Sequence, residues 1–149
     1  MARTVADCAL MFGAFAGHDP ADPASANVAT HYLQAQRYRS LLRKEFLEAF
    51  KKVDLFLCPT LPFTATPIGA TKVVIENGVE EDMLSAIMQY TGVPSLTGLP
   101  ALAVPCGFDG DGLPIGMQLI GKPFDEATLF RVGAAYQALT GFHLKAPAI

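Results

Sequence analysis

Residues 98–121 read GLPALAVPCGFDGDGLPIGMQLIG, two apolar runs joined by a turn. The runs at 101–105 and 113–120 are rich in Val, Ile and Leu, and Asp109-Gly110-Asp111-Gly112 between them are residues that tolerate positive φ. The pattern predicts a β-hairpin. Each arm is nearly apolar on both faces instead of alternating, which predicts a sheet covered from two sides. Pro100, Pro105 and Pro114 lack a ladder donor, so they are expected to mark strand ends and keep the paired segments short.

Working outward, residues 54–58 (DLFLC) predict another short strand, running into a proline-rich loop through Pro59, Thr60, Leu61 and Pro62 to Gly69. In open α/β sheets ligands collect beyond the carboxyl ends of strands, so this loop is an expected pocket wall, with Thr60 and Pro62 its candidates. The other reading is a rigid connector with no ligand. Residues 72–75 predict a small arm turning at Glu76-Asn77-Gly78. Glu80-Glu81-Asp82 are expected in the first turn of a helix through Gln89, where acidic side chains favour the positive end of the dipole. Residues 91–98 read as a loop. After the hairpin, Asp125 is expected to cap a last helix over 126–139 that ends at Gly141 and buries Leu129, Val132, Gly133 and Tyr136 against Met117 and Leu119.

At the other end, Thr4 and Asp7 resemble a shortened capping box before a helix carrying Val5, Cys8, Phe12 and Phe15. Gly17, Pro20 and Pro23 break it. A long helix over 31–52 is expected to bury Tyr38, Leu42, Phe46, Ala49 and Val53. Its other side carries Arg37, Arg39, Arg43, Lys44, Lys51 and Lys52, interrupted by Glu45 and Glu48, which reads as a solvated face.

Composition bounds the function. The chain has 149 residues, 51% of them hydrophobic, and a formal charge of -3. That is one domain with a sizeable core, no basic field for nucleic acid and no apolar run long enough for a bilayer. Without a signal-like opening or a CxxC pattern, Cys8, Cys58 and Cys106 read as buried thiols of a cytoplasmic protein.

The segments GLPALAVPCGF, GLPIGMQLIGKPFDEATLFRV and VDLFLCPTLPFTATPIG, with MARTVADCALMFGAFAGHDPADPAS upstream, resemble the amidase signature hydrolases. The same group includes the amidase-type subunit of the tRNA-dependent amidotransferases. The resemblance implies an α/β fold, here a partial amidase-signature fold: a mixed β-sheet remnant with flanking helices. It also implies a small-molecule amide substrate, with an acyl-enzyme formed by a serine, a second serine in a cis peptide and a lysine base. The logic is that a hydroxyl attacks only when a base takes its proton and Gly-rich backbone N–H groups hold the oxyanion.

That chemistry is not found in these residues, and no catalytic residue is assigned. Only Ser25, Ser40, Ser85 and Ser95 occur, none in a Gly-Ser cluster. Ser95 stands where the family often carries asparagine before LTG; with Thr97 it joins Thr60 and Pro62 as the expected pocket wall. Cys58 or Cys106 with His31 or His143 has no spacing that supports a thiol hydrolase, and His18, His31 and His143 form no metal motif. No metal and no cofactor are expected. Asp109-Gly110-Asp111-Gly112 lacks the remaining ligands of a calcium loop.

Between Ser25 and His31 a handful of residues replace a long region of the family. The expectation is therefore a single partial domain over 1–149 with a junction near 25–31, a carboxy-terminal fragment that is inactive alone. Two alternatives stand beside it, a noncatalytic binding or scaffold domain and a fragment of the tRNA-dependent amidotransferase subunit. Met88, at the position where that subunit tends to carry an acid, favours a general amidase as parent. No nucleic-acid or membrane partner is expected, whereas an exposed sheet edge invites a homodimer.

Overall fold

The computed structural model describes residues 28–75 and 78–145, with side chains from residue 32 onward. The helix expected after Thr4, its breaker loop, Cys8, His18 and Ser25 lie outside the described residues, as do the side chain of His31 and the Glu76-Asn77 turn. By internal contacts the chain divides into two units, Met1–Leu42 and Arg43–Ile149. The packing that follows is that of the second.

Helix α1 runs Val28–Ala49, followed by β1 Leu55–Pro59, β2 Lys72–Val74, β3 Glu80–Asp82 and α2 Met83–Thr97. Then come β4 Ala101–Phe108, β5 Pro114–Gly121, α3 Glu126–Thr140 and a 3-10 turn at Phe142–Leu144. Strands β4 and β5 form the expected hairpin. Its turn is built by Asp109, whose Oδ1 accepts from the N–H groups of Asp111 at 3.0 Å and Leu113 at 2.8 Å. Gly112 supplies the left-handed residue, with φ of 82°.

The sheet order is β1-β5-β4, and the pairings are antiparallel. Strand β5 is therefore central, which buries Met117 to Gly121 without interruption. The covering layers are offset. On one face, α3 lies over β4 and β5: Leu129 is 3% exposed and packs on Gly121, and Leu102 packs on Gly133. A Cβ at position 133 would stand 2.8 Å from Leu102 Cδ2, so the helix approaches this closely only because the residue is glycine. On the other face, Phe50, Leu99 and Ile120 form the core with Phe46, Phe56 and Cys58 around them. The Phe56 ring meets those of Phe46 and Phe50 edge-on, at centroid separations of 5.2 and 4.9 Å.

Several expectations are corrected. Glu80, Glu81 and Asp82 form a strand paired with β2, and only Asp82 serves the helix, as an N-cap accepting from Ser85 N–H at 3.1 Å. Helix α2 continues through residues 91–97 despite Gly92 and Pro94. Pro94 has no N–H for the carbonyl of Tyr90, but Gln118 Nε2 donates to that carbonyl at 3.0 Å from β5. The helix survives because another element supplies the missing donor.

In α1 and the turn after it the inward residues are Phe46, Ala49 and Phe50, whereas Tyr38 is 71% exposed and Val53, beyond the helix, 40%. Arg43 is half-buried and not on a solvated face, its guanidinium donating to the Thr97 carbonyl at the end of α2. Cys58 and Cys106 are half-buried free thiols. Asp125 precedes α3 without a side-chain cap to its backbone: its carbonyl accepts from Thr128 N–H at 3.2 Å and its carboxylate from Thr128 Oγ1 at 2.8 Å. Val132 and Tyr136 are half-buried. Among the described residues, no helix is long and apolar enough to cross a membrane.

Candidate functional site

The proline-rich loop leaves β1 at Pro59 and is tied down at once. Thr60 N–H donates to Gly116 O at 2.9 Å, extending the β1–β5 ladder by one residue. The Thr60 hydroxyl is buried against Gly116 and has no hydrogen-bond partner among the described residues. Pro62 is half-buried, and further along the Thr64 side chain comes close to the Asp109 carboxylate of the hairpin turn. The Thr64 side chain first, then the N–H of Leu113 and those of Asp111 and Gly112, hold the Asp109 carboxyl below the usual aspartate range.

The second expected segment is the end of α2. Thr97 is fully buried, its hydroxyl donating to Val93 O at 2.7 Å. Ser95 points to solvent from the same helix. Gln118 connects the two segments at their roots: besides Tyr90 O in α2, its amide reaches Pro59 O at 3.4 Å. Sequence reasoning misses this residue, although a lone polar side chain inside MQLIG is the signal that finds it.

A cavity of about 390 Å³ opens between the Arg43–Ala49 end of α1, β1 and α2, lined by Phe46, Phe56, Leu57, Cys58, Tyr90 and Ile120 among others. None of Thr60, Pro62, Ser95 and Thr97 lines it. Its wall is apolar, with the Cys58 thiol, Tyr90 and Gln89 as polar groups and Glu45 from α1.

Nucleophile arrangements are equally plain. Ser40 Oγ donates to Gln36 O at 2.9 Å, within α1. Among the described residues, no serine hydroxyl or cysteine thiol is hydrogen-bonded to a lysine or histidine. No His, Cys, Asp and Glu groups converge as metal ligands among them either.

Comparison with known proteins accounts for the fold. The family model for amidases matches residues 24–130. Over 118 residues the chain is 45% identical to a glutamyl-tRNA(Gln) amidotransferase subunit of Chloroflexus aggregans, covering 78% of this chain and 22% of that protein. Among solved structures, an amidase superposes with a TM-score of 0.69 at 30% identity, over 82% of this chain and 29% of the other. The corresponding amidotransferase subunit of Thermotoga maritima gives a TM-score of 0.59 at 31% identity, over 85% and 25%. The chain thus spans between a fifth and a third of the proteins it resembles. With a family match over most of its length and the same sheet and helices in solved relatives, the chain belongs to the amidase family, the amidase signature hydrolases.

Proposed function

We propose that the chain is the carboxy-terminal sheet-and-helix portion of a cytoplasmic hydrolase of carboxylic amides, and that these 149 residues alone do not turn amides over. The observation that carries this reading is the combination of a family match over residues 24–130 with coverage of only 22% of a 45%-identical relative. Amide hydrolysis through an acyl-enzyme needs an activated hydroxyl and an oxyanion site. The serines of the described residues are engaged in helix bonds or face solvent. Within this reading Thr60, Pro62, Ser95 and Thr97 wall the amide pocket of the parent enzyme, supported by the Gln118 amide that fastens both of their segments. The junction with the parent lies near residues 25–31.

A second reading, a portion of a tRNA-dependent amidotransferase subunit, is favoured by the 45% identity to such a protein. Against it stands Met88, 52% exposed on α2 where an acid is expected. Ammonia release from a panel of simple amides and glutamine tests both. The chain alone is expected to release none. Fused behind the preceding segments of the Chloroflexus relative, it is expected to act on simple amides, whereas action on glutamine alone supports the second reading. Turnover by the isolated chain that is lost in Ser95→Ala or Cys106→Ala refutes the assignment.

A further inference from the structure

We draw no further inference here: the strongest candidate, the apolar cavity over the sheet face between α1, β1 and α2 with the Cys58 thiol and Tyr90 on its wall, belongs to a chain that spans less than a third of the proteins it resembles, and nothing in the structure shows what covers it.

Discussion

Gln118 and Pro94 should be energetically coupled although they lie on different elements. In an uninterrupted helix the N–H of residue 94 would serve the Tyr90 carbonyl; here Gln118, 4% exposed, donates to it at 3.0 Å. Gln118→Leu keeps the volume roughly constant and removes the donor, leaving a half-buried carbonyl unsatisfied at a cost of about 1 to 3 kcal/mol. With a urea dependence of about 2 kcal/mol/M, a loss of about 2 kcal/mol moves the midpoint by about 1 M. Pro94→Ala restores an N–H within α2, so in that background the same Gln118→Leu change should cost much less. A double-mutant cycle read by urea unfolding should give a coupling of about 1 kcal/mol or more, and effects of proline on the unfolded chain cancel in it. Costs that add to within about 0.3 to 0.5 kcal/mol would refute the claim that the amide replaces the missing helix donor.

Leu129→Ala, which empties the contact between α3 and Gly121, should cost about 2 to 5 kcal/mol by denaturant midpoint, and the same change at Leu139, 87% exposed, should cost little. Arg43→Ala should be measurably destabilising, by about 1.5 to 3 kcal/mol, because it removes a charged donor from the Thr97 carbonyl. The Asp109 carboxyl titrates below its unfolded value of about 3.9, so its contribution is complete above that pH and is lost as pH falls through the lower folded value. A stability profile below pH 4 should accordingly flatten in Asp109→Asn, and Thr64→Val should reproduce part of that change.

The elements legible in the sequence are those whose determinants are local. Asp109 to Gly112 announce the hairpin because the turn is satisfied by its own residues, and Leu129 and Gly133 announce the inner stripe of α3 by spacing alone. Helix α2 reads too short because Gly92 and Pro94 are breakers by every local rule, and the donor that cancels the break comes from β5. Glu80 to Asp82 read as helix because acidic residues suit a first turn equally well, until pairing with Lys72 to Val74 claims them. Arg43 looks like one cation in a solvated row; only the meeting of α1 with the end of α2 sets it apart. Thr60 and Pro62 are candidates only by their place after a strand and do not line the cavity, which is assembled by α1, β1, α2 and β5, elements that no stretch of sequence contains together.

The offset layering has a kinetic counterpart. Strands β4 and β5 with helix α3 follow one another with short connections, so their contacts close small loops and can form before the rest of the chain is placed. Strand β1 reaches β5 only across the whole segment from the proline-rich loop through α2. Until it arrives, the central strand is itself an edge, so the late addition of β1 covers the apolar run of β5. Slowing that step, for instance by lengthening the loop after Pro59, should raise the yield of aggregates during refolding and leave the equilibrium midpoint nearly unmoved.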